Sequence, residues 1–115
     1  MPMTIKLTTT GRKTGLAREV PLYAFEDGNR LVIVGSLGGA AHDPSWVHNL
    51  RAEPGATVGV GRQVRPVMAY EATHDERGRL WTLVCQEFPL YETYQRRTKR
   101  TIPVFVLEPP ISAVS

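Results

Sequence analysis

The chain has 115 residues, 42% hydrophobic and 22% charged, with 14 Lys+Arg against 11 Asp+Glu for a net charge of +3. That size and balance predict one soluble domain over residues 1–115, and they exclude a disordered chain and a two-domain enzyme. No apolar run nears the roughly 18–20 residues of a membrane-spanning helix, and the basic excess is too small to demand nucleic acid, although its clustering favours a small anionic ligand or an anionic membrane surface.

Ile5 to Thr9 reads as a short strand entering the loop Thr10-Gly11-Arg12-Lys13-Thr14-Gly15. Glycine lets successive backbone N–H groups converge, threonine hydroxyls donate, and Arg12, Lys13 and Arg18 supply charge, so the loop suits an anion. A bare basic hairpin loop that binds nothing is the alternative. The order Lys-Thr-Gly, followed by a strand, excludes a Walker phosphate loop, which needs a helix at that point. Val20 to Phe25 is a second strand, and Leu31 to Val34 a buried third one. The turn Glu26-Asp27-Gly28-Asn29 joins them, with Gly28 and Asn29 both able to take positive φ. Gly35-Ser36-Leu37-Gly38-Gly39 then breaks the pattern. Asp43 as N-cap, with Pro44 at the first helical position, opens a helix through about Ala52 that Glu53-Pro54-Gly55 ends.

Ala56 to Val60 and Val64 to Glu71 form a second hairpin around Gly61-Arg62-Gln63, with Pro66 marking an edge or a bulge. Thr73 and Glu76 have capping-box spacing. The helix they start puts Leu80, Trp81, Val84, Cys85 and Phe88 on one side. The single cysteine, Cys85, excludes an internal disulfide, fits a reducing cytoplasm and is expected to be buried and inert. Pro89 interrupts, a short helix carries Tyr91, Tyr94 and Gln95, and Ile102 to Leu107 is a closing strand before a frayed tail. Six short strands with two helical insertions predict a small antiparallel barrel, mainly β with α insertions, because closure removes exposed edges.

Nothing here activates a nucleophile or gathers a metal. His42, His48 and His74 lack ligand spacing, and Ser36 is not in a G-x-S-x-G elbow. His48 reads as structural or as a ligand contact. The residues instead suit something flat and anionic. Gly35, Gly38 and Gly39 let a planar group approach the backbone. Trp46 and Asn49 share a helix face, one to pack on a ring and the other to hydrogen-bond, with Trp46 as plain core the alternative. Tyr91 and Tyr94 project together, either as ligand contacts or as core tyrosines with solvated hydroxyls. Arg96-Arg97-Thr98-Lys99-Arg100 is a solvated basic face or a contact for a polyanionic tail or lipid headgroups.

Taken in order, these segments resemble the deazaflavin-dependent nitroreductase family of actinobacteria, oxidoreductases that use coenzyme F420. The carrying residues are Leu7 to Gly15, Arg18 to Tyr23, Val34 to Gly39, Pro44 to Leu50, Phe88 to Tyr94 and Arg100 to Pro103. The resemblance implies an FMN-binding-like split β-barrel of about six antiparallel strands and two to three helices, with the deazaflavin along a groove. On matching positions, Arg12, Lys13, Thr14 and Arg18 hold the phosphate and acidic glutamyl tail. Glu19, Val20, Pro21, Leu22 and Tyr23 line the ribityl chain and ring together with Val34, Gly35, Ser36 and Leu37. Ser45, Trp46, Val47, His48 and Asn49 complete that lining. Tyr91 lies beside the deazaflavin, and Tyr23, Ser36, Phe88 and Tyr94 border the substrate.

The implied reaction is hydride transfer from reduced deazaflavin to a quinone or activated nitroaromatic, with a proton from Ser36, from the Tyr23, Tyr91 or Tyr94 hydroxyl, or from water. Phe88 stands where characterised members carry a further tyrosine, and Leu37 where a basic residue is frequent, which favours quinones over nitroimidazoles. The resemblance also implies a cytoplasmic monomer or homodimer, with contact to the inner face of the membrane as an added expectation. Three other readings stay open. They are an FMN-binding split-barrel oxidoreductase, a non-catalytic cofactor or membrane-surface carrier using Arg96 to Arg100, and a nucleic-acid module, for which no basic strand with interleaved aromatics is present.

Overall fold

Residues 2–110 are described by a computed structural model, and the tail expected to fray after Pro110 lies outside them. The chain begins with a long antiparallel hairpin, β1 (Met3–Thr10) and β2 (Ala17–Asp27), in which Ile5 faces Leu22 and Leu7 faces Val20. Along β1 the buried positions are Ile5, Leu7 and Thr9. That alternation is what a strand with one face on a core requires. Four more strands follow: β3 (Arg30–Val34), β4 (Gly55–Val60), β5 (Gln63–Glu71) and β6 (Val104–Glu108). They close into a barrel in the order β1-β2-β3-β6-β5-β4, with β4 returning to β1 where Val58 faces Leu7.

The central strands are apolar on both faces for a simple reason. Leu31, Ile33, Phe105 and Leu107 point into the barrel with Trp46 and Val58. Val32, Val34, Val104 and Val106 point outward under α2 (His74–Glu87) and α3 (Leu90–Arg96), against Leu80, Val84 and Tyr91. The barrel is split. β2 pairs with β3 only from Phe25 to Asp27, so residues 17–24 border an opening toward α1 (Ser45–Ala52) and α3. Pro66 sits in the part of β5 that precedes its pairing with β6 at Met68, a local edge as its missing N–H predicts.

Of the two predicted caps, Asp43 falls one residue short of the cap position and Thr73 stands at the N-cap as expected, but the carboxylate of each pattern bonds an arginine. α1 starts at Ser45, with Pro44 at the cap position and no side-chain cap bond. The Asp43 carboxylate instead accepts from Arg100 Nη1 at 2.7 Å and Arg51 Nη1 at 3.1 Å. Likewise Thr73 makes no side-chain cap bond, and Glu76 accepts from the Tyr70 hydroxyl at 2.8 Å and Arg30 Nη1 at 3.3 Å. Charge-assisted bonds outcompete a cap worth about 1 kcal/mol. Of the turn residues, Gly28 takes φ +64° and Asn29 does not take positive φ. The last strand starts at Val104 rather than Ile102, whose N–H donates to Gln95 Oε1 at 2.9 Å instead of a strand partner.

Asp27, at the end of β2, makes a pH-dependent contribution. Arg79 and Arg30 donate to its carboxylate at 3.0 and 2.6 Å and lower its pKa from 3.8 to about 2. A depressed carboxyl stabilises the fold above its unfolded value, and that stability is lost as pH falls through about 2. Asp27→Asn is therefore expected to flatten the acid limb of stability against pH in urea titrations. A variant that loses stability with acid as steeply as the parent would refute this assignment.

Candidate active site

The basic loop is a closed, self-bonded turn. Gly11 N donates to Leu16 O at 2.7 Å and Gly15 N to Gly11 O at 2.8 Å, with Gly15 at φ +72° where an L side chain is disfavoured. The turn is pinned from below by Asn49, which is only 4% exposed. Asn49 Oδ1 accepts from Arg12 N at 3.0 Å, and its Nδ2 donates to Thr9 Oγ1 at 3.1 Å. Thr14 Oγ1 accepts from Leu16 N at 3.2 Å and Arg18 Nη2 at 3.4 Å. The result is a cavity of about 570 Å³ walled by Arg12, Lys13, Thr14 and Arg18, with Ser45 and Trp46 of α1 opposite. No carboxylate among the described residues pairs with Arg12, Lys13 or Arg18; Glu19, the acid in the wall, lies 3.8 Å from Lys6. Three uncompensated cations on one wall make a net positive field for an anion.

A second cavity of about 460 Å³ is walled by Tyr23 of β2, Phe88, Tyr91 and Tyr94, and by Ser36, Leu37 and Gly38. Phe88 meets Tyr91 at 4.8 Å and Tyr23 at 5.6 Å between ring centroids, both edge-to-face. Such packing fixes ring orientation and contributes about 0.5–1.5 kcal/mol per pair. Val20, Pro44 and Trp46 border both cavities, so the cationic and aromatic chambers form one groove along β2. The hydroxyls of Ser36, Tyr23, Tyr91 and Tyr94 have no hydrogen-bond partner among the described residues and remain available to a ligand. Burial, with Tyr23 and Tyr94 nearby, pushes the Tyr91 phenol well above its ordinary range. It stays protonated, a donor at any working pH.

The family model for F420H(2)-dependent quinone reductase matches residues 1–109. The chain belongs to that family. It is 38% identical over 112 residues to an F420H(2)-dependent quinone reductase of Mycobacterium tuberculosis H37Rv, covering 92% of this chain and 73% of that protein. Among solved structures, an F420-H2 dependent reductase (FDR-A) superposes with a TM-score of 0.83 at 40% identity, covering 91% of this chain and 93% of the other. A chain described as a domain-swapped dimer matches equally, with TM-score 0.83, 40% identity and coverage of 91% and 79%. HutZ, a haem storage protein of Vibrio cholerae, shares the fold at 12% identity and TM-score 0.68.

In this F420H(2)-dependent quinone reductase fold, most residues expected from the sequence do meet along the groove. Arg12, Lys13, Thr14, Arg18, Glu19, Ser45 and Asn49 border the cationic end. Pro21, Leu22, Tyr23, Val34, Ser36, Leu37, Phe88, Tyr91 and Tyr94 border the aromatic end. Three expected members stand apart. Val47 is wholly buried and packs on Gly35, where an added Cβ would come within 2.8 Å of Val47 Cγ2. Gly35 is therefore needed for helix–loop packing and does not border the groove, and His48, on the same helix, is absent from both cavity walls. Gly39 too serves packing, because a Cβ there would lie 2.7 Å from Tyr94 O. Asn49, expected to bond a ligand, spends its amide on the loop. Trp46 is both things at once: 5% exposed, edge-on to Phe105 at 5.7 Å, yet shared by both chambers.

Sequence reasoning missed Thr4, Thr9 and Pro44, which also border the groove. The hairpin register carries a signal for Thr4, which stands opposite Tyr23. Leu37 sits at the rim, 48% exposed and with φ +44°, a strained position for a side chain other than glycine. Cys85 is buried, and desolvation raises its thiol to about 11, consistent with the inert role expected of it.

Proposed function

We propose that this chain transfers a hydride from reduced F420 to a quinone held in the aromatic chamber, with the residues of the groove in the roles below. Homologues carry the name F420H(2)-dependent quinone reductase, and the family makes the chain an oxidoreductase that uses F420. One observation supports the placement of the cosubstrate most directly. A chamber with three unpaired cations opens, past Val20 and Trp46, into a chamber walled by Phe88 and by three tyrosines with free hydroxyls. That sequence of surfaces fits a molecule with a negative tail at one end and a planar ring at the other. The residues present suit the coenzyme.

Bound there, reduced F420 supplies the hydride, so the protein needs no nucleophile or metal of its own. Arg12, Lys13 and Arg18 bind the phosphate and glutamyl carboxylates by charge-assisted hydrogen bonds. Trp46 and Tyr91 fix the plane of the ring. Tyr23, Phe88 and Tyr94 orient the acceptor and exclude water from its face. The oxygen that gains electron density takes a proton from the Ser36, Tyr23 or Tyr94 hydroxyl or from water, while the Tyr91 phenol, kept neutral by burial, is suited to hydrogen-bonding that oxygen rather than giving up its proton. Phe88 removes one hydroxyl from this set, which favours a quinone over a nitroaromatic acceptor.

No helix among the described residues is long and apolar enough to cross a membrane. The proposed location is the cytoplasm. Arg96, Arg97 and Lys99, all exposed, are the cations available for peripheral contact with the inner membrane face. A homodimer is supported by the similarity to a chain described as a domain-swapped dimer. The test is a fluorescence titration with F420, then oxidation of reduced F420 by menadione and a nitroaromatic panel. Saturable binding with quinone turnover is expected. Binding of FMN in place of F420 would move the reading to a flavin enzyme, and F420 binding with no acceptor reduced would make the chain a carrier.

A further inference from the structure

Arg100 closes the basic run near the C-terminus, yet its side chain is only 14% exposed. Nε donates to Ala40 O at 2.8 Å and Nη2 to Ser36 O at 2.8 Å. Nη1 donates to Gly35 O at 3.0 Å and to Asp43 Oδ1 at 2.7 Å. All four acceptors lie in one loop, residues 35–43, which supplies Ser36, Leu37 and Gly38 to the aromatic wall and leads into Pro44 and Trp46. A rigid guanidinium fork can serve four acceptors spread around its plane, and an ammonium with three donors cannot.

The backbone of Arg100 is held in turn by α3. Gln95, next to Tyr94, donates from Nε2 to Arg100 O at 2.7 Å and accepts from Ile102 N at 2.9 Å. The helix bearing Tyr91 and Tyr94 and the loop bearing Ser36 are thus tied to each other through Gln95 and Arg100. Arg100 itself borders neither cavity.

We propose that Arg100 is a positioning residue, which sets the separation between the 35–38 loop and the tyrosines of α3 and so the geometry in which ring and acceptor meet. The proposal rests on the F420-dependent quinone reduction described above. It predicts a defect confined to the aromatic end of the groove, because the cationic loop is held separately by Asn49.

The experiment compares Arg100→Lys, Arg100→Ala and Gln95→Met with the parent and with Arg62→Ala, a control at an exposed cation in the turn between β4 and β5 that borders neither cavity. Two binding probes are used: F420, and its phosphate-free riboside, which can engage the aromatic end alone. Steady-state kcat and KM for menadione and the thermal midpoint are measured alongside. Arg100→Lys is expected to weaken riboside binding and raise the menadione KM by about tenfold, the scale expected for losing charged donors to buried carbonyls. The salt dependence of F420 binding should stay that of the parent, and Arg62→Ala should match the parent throughout. A purely structural arginine would lower the thermal midpoint and leave riboside affinity and KM unchanged in the folded fraction, and that result would overturn the proposal. If neither Arg100 variant folds, Gln95→Met decides by the same two readouts. A parent protein that binds neither probe would instead overturn the functional reading beneath it.

Discussion

Replacing Lys13 and Arg18 together by alanine is expected to weaken F420 binding by about 100-fold while leaving the fold nearly as stable as the parent. A hydrogen bond to a charged partner contributes about 1.5–3 kcal/mol, and each 1.4 kcal/mol is a factor of ten in affinity. Both side chains are exposed, so screening by water and salt reduces their combined contribution to about 3 kcal/mol. Neither is needed by the protein itself. Lys13 makes no ion pair among the described residues, and Arg18 gives one long bond, 3.4 Å, to Thr14 Oγ1. Surface substitutions of that kind change stability by about 0.5 kcal/mol or less. Titrations at low and high salt check the point, because the parent should lose affinity with salt more steeply than the double variant. Equal affinities would remove the loop from the binding site.

Gly39→Ala is the substitution expected to damage the molecule most. Gly39 has φ +85°, and a Cβ there would lie 2.7 Å from Tyr94 O, 3.0 Å from Arg97 Cβ and 3.1 Å from Tyr94 Cα. The left-handed backbone costs an alanine about 1–2 kcal/mol, and displacing a helix backbone adds about 1–3 kcal/mol. The thermal midpoint should fall by about 10 °C or more for a chain of this size. Because the clash is with α3, Tyr94 should move and the quinone KM should rise as well. Gly38→Ala is the control: φ is +63° there, but nothing lies within 4 Å of an added Cβ. It carries the conformational cost without the collision. Equal midpoints for the two variants would show that the close approach to α3 is unimportant.

The barrel was legible because each strand carries its own signal. Alternation in β1, the Asp-Gly turn before β3 and the unbroken apolar runs of β3 and β6 all follow from which faces are covered. The aromatic cluster was equally legible, since Tyr91 and Tyr94 are three apart on a helix that Pro89 starts afresh. Hidden from the sequence were the long-range bonds. Asp43 and Glu76 have local capping patterns that their arginine partners, distant in sequence, override. Asn49 looked free to meet a ligand until Thr9 and Arg12 came within reach of it. Gly35 and Gly39 were expected to make room for a cosubstrate and make room for Val47 and Tyr94 instead. In each case the deciding neighbour arrives only when the barrel closes.

β2 contributes Arg18 to one chamber and Tyr23 to the other. Five residues of extended chain span about 17 Å, and a hydrogen-bonded strand does not stretch. In the proposed binding mode β2 is a ruler, fixing how far a molecule's charge must sit from its plane for both ends to be satisfied together. Adding or deleting one residue in that span would turn Tyr23 to the opposite face, so selection by length and selection by aromatic contact are inherited as one trait.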